Sequence, residues 1–271
     1  MNRLINNYNH KKYNFFYLKK GENNSYYFSK RKPYNREAVL SPKTIEKVFE
    51  FAYDMTFGGK GKHRSKRTNG DKKRRNGEKF ANTFQGKLSE CAACNYFYKY
   101  DKSIAPDYKV KGKGWWDSVD IKVCNKDISI KSTKHFGQLM LLESGDWDEN
   151  CNYIPNINEK DKPSQYDYFL LIRIKCNKDR RTSCDEVMKD LNLFNSDVAD
   201  YKTLHDNICS LKWEYDCPGY ITNDELRYII NNGFIIKKGS KLQGTTKMDA
   251  ENYYVQAGDF HDISEISKEF E

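Results

Sequence analysis

The sequence predicts an α/β fold in which a mixed central β-sheet is flanked by helices. Two short stretches around residue 125 alternate strictly between apolar and polar residues, a pattern typical of half-buried strands. A nearly continuous apolar run at 166–174 indicates a strand buried on both faces. Other segments carry apolar residues three and four positions apart, as helices that cover a sheet do.

The elements follow in order along the chain. Residues 1–40 are polar, aromatic and basic, and we interpret them as an N-terminal arm before a single domain at 41–271. Ser41-Pro42 predicts the start of a helix over 42–55, because proline favours the first helical position. A second helix is predicted over 78–100, with an apolar stripe formed by Phe80, Phe84, Leu88 and Cys91.

The second half of the chain gives fewer signals of secondary structure. Residues 184–216 have the character of helices and connections, and residues 243–260 show no clear period. Thr222 and Glu225 form a capping box that predicts a helix to about Asn232, where Gly233 stops it. A strand is predicted at 234–238.

A basic loop is predicted at residues 58–79. It contains ten Lys or Arg residues, five glycines and two acids, so it offers no face for a core. A solvated insertion would explain this composition, but the density of cations favours an arm that grips phosphate groups.

Charge and hydropathy limit the classes of function. The net charge of +9 suits a polyanionic partner such as nucleic acid. No run of about 18 apolar residues is present, and the N-terminus does not match a secretory signal, so we expect a cytoplasmic protein without a membrane span. Cys91 and Cys94 form a CxxC, but no second pair at zinc spacing follows them.

The alternating stretches predict a hairpin that places an acid opposite a lysine. A two-residue turn at Asn125-Lys126 would place Ile121 opposite Ile130 and Asp120 opposite Lys131. An ordinary cross-strand salt bridge is one interpretation of this pair. The other is a catalytic pair, because an acid can hold Mg²⁺ and a lysine can stabilise the charge that develops on a phosphate.

The segment DSVDIKVCNKDISIK resembles the hairpin of the PD-(D/E)xK restriction-endonuclease superfamily, and the segments NTFQGKLSE and KMDAENYYVQAGDF are similar to type II restriction enzymes. In this resemblance Asp120 matches the first acid, with Asp117 as the alternative, and Lys131 matches the lysine. Ser129 departs from the pattern, because it occupies the position of the second carboxylate. Glu90 on the preceding helix is the natural replacement, so Asp120 and Glu90 are the expected metal ligands.

The resemblance implies a restriction-endonuclease-like core and a Mg²⁺-dependent, sequence-specific endonuclease for double-stranded DNA. It also implies a bacterial source and a homodimer, because cutting both strands of a palindrome needs two active sites. The alternatives are a non-catalytic nucleic-acid-binding protein and a structure-specific repair or junction nuclease. Twelve residues are candidates for DNA binding: Lys62, Arg64, Lys66, Arg67, Lys72, Lys73, Arg74, Arg75, Lys87, Lys134, His135 and Lys247. Asn252 and Gln256 are additional candidates for reading bases.

Overall fold

A computed structural model describes residues 13–61, 70–71, 73–109, 120–158, 160, 164–177, 182–266, 268 and 270. The helices in these ranges are α1 (Pro42–Met55), α2 (Asn76–Phe97), α3 (Cys184–Asp190), α4 (Tyr201–Cys209), α5 (Asn223–Asn231) and α6 (Ile263–Ile266). The strands are β1 (Lys19–Gly21), β2 (Ser25–Tyr27), β3 (Ala38–Val39), β4 (Ile121–Val123), β5 (Lys126–Lys134), β6 (Leu139–Glu143), β7 (Tyr168–Asn177), β8 (Lys212–Thr222), β9 (Ile235–Ile236), β10 (Lys241–Leu242), β11 (Thr246–Lys247) and β12 (Asn252–Gln256).

The central sheet has five strands in the order β3-β8-β7-β5-β4. Strands β5 and β7 are parallel, with Ile130 opposite Leu170, and the other neighbouring pairs are antiparallel. The predicted class of a mixed α/β fold is therefore confirmed. Strand β7 is buried along most of its length, as the apolar run at 166–174 predicts.

Helices α1 and α2 pack on one face of this sheet. The start of α1 is the predicted one: the Ser41 hydroxyl caps it by accepting a hydrogen bond from the Thr44 amide at 3.1 Å, and Pro42 occupies the first turn. Phe49 of α1 and Phe80 and Phe84 of α2 are fully buried in this layer. Each such side chain stabilises the fold by about 1.5–3 kcal/mol.

The opposite face of the central sheet packs against a smaller sheet and α5. The smaller sheet has the order β6-β12-β9. Phe169 and Leu171 of β7 meet Met140, Ile229 and Tyr254 in a second core. The predicted capping box at the start of α5 is confirmed, since Thr222 and Glu225 exchange both hydrogen bonds.

Strand β8 overturns part of the sequence interpretation. Residues 212–216, expected in a region of helices and connections, begin an eleven-residue strand that pairs with β7. The strand carries the buried acid Asp216, which receives two hydrogen bonds from the buried guanidinium of Arg173 at 2.8 and 2.5 Å. The long-range ion pair allows an acid in a central strand, which local alternation does not predict.

The described part of the N-terminal arm and the segment 243–260 are also more structured than their sequences indicate. Strands β1 and β2, in the predicted N-terminal arm, belong to a third sheet with β10 and β11. The segment 243–260, which shows no period, contributes β12 to the smaller sheet. In the described part of the chain, no helix is long and apolar enough to cross a membrane.

Candidate active site

The hairpin of β4 and β5 forms, but its register differs by two residues from the predicted one. Its turn is Cys124-Asn125, with Val123 opposite Lys126 and Ile121 opposite Ile128. Both turn residues have positive φ, 45° and 67°, as a two-residue turn of this hand requires. The expected pairing of Asp120 with Lys131 is therefore wrong. The observed register also allows the Lys122–Asp127 ion pair at 3.3 Å.

In the observed register, Asp120 lies against Ser129. One oxygen of the Asp120 carboxylate, Oδ2, accepts hydrogen bonds from the Ile130 amide at 2.5 Å and the Ser129 hydroxyl at 3.2 Å. The two acid positions of the motif are thus adjacent, although the second carries a hydroxyl. Because the two registers differ by an even number of residues, each side chain keeps its predicted face.

Lys131 lies on the same face as Ser129, two positions further along β5. This makes it a diagonal neighbour of Asp120, at a separation that a long side chain can span. Among the described residues Lys131 has no ion pair within 4 Å, so its ammonium group is available to a ligand.

Lys131 borders a cleft of about 720 Å³. Strand β5 and the following turn form one wall of the cleft, the hairpin of β10 and β11 forms another, and α2 contributes Asn82 and Gln85. The Gln85 amide donates to the Ser132 hydroxyl at 3.3 Å, which ties α2 to the strand beside Lys131. Sequence reasoning missed these two amides, because the contact joins segments more than forty residues apart.

The surface of α2 beside this cleft is open at Gly86. A Cβ atom added there would find no described neighbour within 4 Å. A glycine at this position could serve either the close approach of a phosphate or packing at a crowded site. The open space is inconsistent with crowding.

Glu90, the expected second acid, is on α2 one turn beyond Gly86. Helix α2 packs on the sheet face that carries Ile128, whereas Ser129 projects from the opposite face. The Glu90 carboxylate pairs with the Lys87 ammonium group. No described contact joins Glu90 to Asp120, so their sharing of one metal ion stays a prediction.

Lys87 does not fit the expected DNA-binding role. Its side chain is 2% exposed, and its ammonium group pairs with Glu90 and donates to the Asp107 carbonyl oxygen at 2.8 Å. It also lies 4.7 Å from the centre of the Phe51 ring. A charge buried and neutralised in this way is not presented to a phosphate.

The environment of Asp120 includes Tyr166, which is buried in the second core. Burial raises the pKa of the Tyr166 phenol, and the negative charge of Asp120 raises that pKa further. The phenol therefore stays neutral at physiological pH and cannot act as a base there.

The other predicted DNA-binding residues around the cleft differ in whether they present a positive charge to a phosphate. Lys134 pairs with Asp185 at 2.6 Å, and Lys247 is exposed on β11. Burial lowers the pKa of His135, and the nearby Lys175 charge lowers it further. Both effects disfavour the charged imidazole that would attract a phosphate.

The two proposed base readers on β12 are buried. Asn252 is 1% exposed, and its amide donates to the Ala250 carbonyl oxygen at 3.0 Å. The Gln256 amide oxygen accepts from the Ser29 and Lys30 amides at 2.8 and 3.1 Å. Both side chains are buried and hydrogen-bonded to backbone groups of the protein. The expectation that they read bases is therefore wrong.

The structure describes part of the predicted basic loop. Lys73 is exposed, and Arg75 precedes α2 and pairs with Asp197. Arg74 is partly buried. The remaining loop candidates, and the alternative acid Asp117, lie outside the described residues: Lys62, Arg64, Lys66, Arg67 and Lys72.

Comparisons of the chain with protein-family models, curated proteins and solved structures gave no match.

Proposed function

We propose that this protein is a Mg²⁺-dependent, sequence-specific endonuclease for double-stranded DNA, with a restriction-endonuclease-like core. One observation carries the proposal: Asp120 lies against Ser129, the second acid position, and Lys131 projects from the same face into a cleft. A salt bridge alone would place the lysine against the acid. Here the acid is held by backbone and hydroxyl donors, and the lysine has no ion pair among the described residues.

The donor set fits Mg²⁺. This ion prefers oxygen ligands and is commonly held by one or two carboxylates, with substrate phosphate and water completing its coordination. Asp120 supplies a carboxylate whose Oδ1 atom is not used in the two hydrogen bonds described above. Ser129 adds a neutral oxygen. Glu90 is the source of the second carboxylate that the sequence predicts, although α2 packs on the sheet face opposite to Ser129.

Each residue has a distinct role in this proposal. The Ile130 amide and the Ser129 hydroxyl orient the Asp120 carboxylate. Lys131 places a positive charge where a phosphate in the cleft would gain negative charge during cleavage. A bound Mg²⁺ ion supplies polarisation of the phosphate and activation of the attacking water.

The partner in this proposal is DNA, bound by cations on both sides of the cleft. Lys131 of β5 and Lys247 of β11 line the cleft and supply two of these charges, and the basic loop is the proposed source of others. Cleavage of both strands at a palindrome calls for a second copy of the chain, so we propose a homodimer of a bacterial restriction system that works in the cytoplasm.

One observation favours a second candidate, a non-catalytic nucleic-acid-binding protein. Ser129 cannot carry the charge that the second acid position normally supplies. Incubation of supercoiled plasmid with the purified protein, with Mg²⁺ and with EDTA, separates the two: metal-dependent nicking or linearisation supports the nuclease, and intact plasmid supports the binding protein. A smear in place of discrete fragments would support a structure-specific nuclease.

Glu90→Gln tests the proposed second metal ligand. If Glu90 helps to hold the ion, the Mg²⁺ concentration for half-maximal cleavage should rise by about 10–100-fold, since ligand support is lost. If Glu90 serves to neutralise Lys87, the melting temperature should fall while the Mg²⁺ requirement stays unchanged. Metal titration of cleavage, measured beside thermal melting, distinguishes these outcomes.

Replacing Lys72, Lys73, Arg74 and Arg75 with Gln tests the basic loop. Each phosphate contact contributes about 0.9 to the slope of log affinity against log salt. Because Arg75 is partly engaged by Asp197, we expect the slope to flatten by about 3 units, equally for specific and nonspecific DNA. Lys202→Gln with Lys212→Gln, on exposed positions of α4 and β8, is the control. An unchanged slope would mean that the loop does not contact DNA.

A further inference from the structure

A second constellation of side chains lies between α1 and α4, where no proposed catalytic residue is located. His205 and Cys209 are four residues apart on α4, which places them on one face of the helix. Glu46 of α1 lies opposite them. The nearest ligand atoms of these three side chains are all within 4.8 Å of one another.

The possible metal-binding atoms of these three side chains lie close together. His205 Nε2 is 2.8 Å from Glu46 Oε2. The Cys209 sulfur lies within 4.8 Å of the ligand atoms of both His205 and Glu46. Nitrogen, sulfur and oxygen atoms from two helices therefore lie close enough together for one metal ion to contact all three.

The histidine ring is held in a fixed orientation. Its other nitrogen, Nδ1, is 3.3 Å from the Asp206 carboxylate. The Tyr201 ring stacks on it with centroids 5.8 Å apart, and the Phe49 ring meets its edge at 5.1 Å. A carboxylate on the far nitrogen is a common device for orienting a metal-binding histidine.

We propose that Glu46, His205 and Cys209 bind a divalent transition-metal ion, with Zn²⁺ as the preferred occupant, and thereby tie α4 to α1. A thiolate and an imidazole select zinc over magnesium, because Mg²⁺ prefers hard oxygen ligands. Three protein ligands leave a fourth position, which water can fill because Glu46 is 48% exposed.

The pair Cys91 and Cys94 is a weaker zinc site despite its CxxC spacing. Both thiols are buried, and Cys91 is 3.1 Å from the Tyr108 hydroxyl. Among the described residues, no third metal-binding side chain joins them, whereas Glu46, His205 and Cys209 form a complete set of three.

Co²⁺ titration of the untagged full-length chain tests the proposal directly. We expect one Co²⁺ ion per chain to give a sulfur-to-cobalt charge-transfer band, and the band should disappear when Zn²⁺ displaces that ion. Cys209→Ala should remove the band, and His205→Ala should weaken Co²⁺ binding by at least about tenfold. Cys124→Ala, at an exposed cysteine elsewhere, should change neither.

Stability gives an independent readout. Zn²⁺ at a hundredfold excess over its Kd should raise the Tm of the wild-type protein by roughly 5 °C, because the ion binds the folded state. Glu46→Gln, a change at an exposed position, should reduce this shift. Absence of a thiolate band in the wild type, or its persistence in Cys209→Ala, would overturn the proposal. The result is independent of the proposed nuclease function, since it involves neither Asp120 nor Lys131.

Discussion

Asp120→Asn is expected to abolish Mg²⁺-dependent DNA cleavage while leaving DNA binding and folding intact. The amide oxygen of Asn can still accept from the Ile130 amide, so the local structure has little reason to change. The charge that would hold the ion is lost, and an amide oxygen is a poor substitute for a carboxylate in a Mg²⁺ site. Cleavage of labelled DNA, compared with gel-shift binding in Ca²⁺, measures the two properties separately.

Lys131→Ala should give the same phenotype through loss of a different charge. Removing one group that stabilises a developing negative charge commonly costs about 10²–10³ in rate. Lys126→Ala is the matched control, because Lys126 is on the same strand, projects from the opposite face and pairs with Asp167 at 3.1 Å. Equal losses in both variants would show that strand stability, and not the position of Lys131, controls activity.

Arg173→Met should destabilise the protein more than any surface change. Arg173 is completely buried, pairs with Asp216, and donates to the Lys32 and Pro33 carbonyl oxygens at 2.8 Å. Methionine fills similar space but leaves the Asp216 carboxylate buried without its cation. Breaking such a pair costs about 3–5 kcal/mol.

Denaturant unfolding of Arg173→Met measures this loss, and Arg36→Met provides the comparison. Arg36 is 63% exposed and lies 3.8 Å from Glu214, so its removal should cost less than about 1 kcal/mol. A loss below about 1 kcal/mol for Arg173→Met would contradict the account of β8, in which this ion pair allows an acid in a central strand.

Local patterns predicted α1 and the start of α5 accurately, because the signals that define them are local. Ser41 and Pro42 fix the first turn of α1, and Thr222 and Glu225 satisfy the backbone at the start of α5. The buried strand β7 was equally predictable, since burial on both faces produces a continuous apolar run.

The hairpin of β4 and β5 shows which features alternation can predict and which it cannot. Alternation fixed which side chains share a face, but two registers that differ by two residues satisfy it equally. The choice between them depends on the turn, where Cys124 takes a positive φ that cysteine rarely adopts. The sequence therefore identified Asp120 and Lys131 as members of one face but did not give their pairing.

The sequence pattern did not predict the long-range contacts that bury polar residues in β8 and β12. Strand β8 contains Asp216, Pro218 and Gly219, which interrupt a strand pattern. Gly219 is needed because the backbone at His261 approaches too closely for a side chain. Similarly, Gln256 is buried by hydrogen bonds to Phe16, Ser29 and Lys30, so its polar character gave no indication of a core position.

The measurement that tests the central claim most directly is digestion of a phage genome by the purified wild-type protein with Mg²⁺, followed by sequencing of the fragment ends. The account predicts discrete fragments whose ends share one short sequence, and no such fragments from Lys131→Ala or with EDTA. Intact DNA from the wild-type protein across Mg²⁺ concentrations, or undiminished cleavage by Lys131→Ala, would contradict the proposed active site.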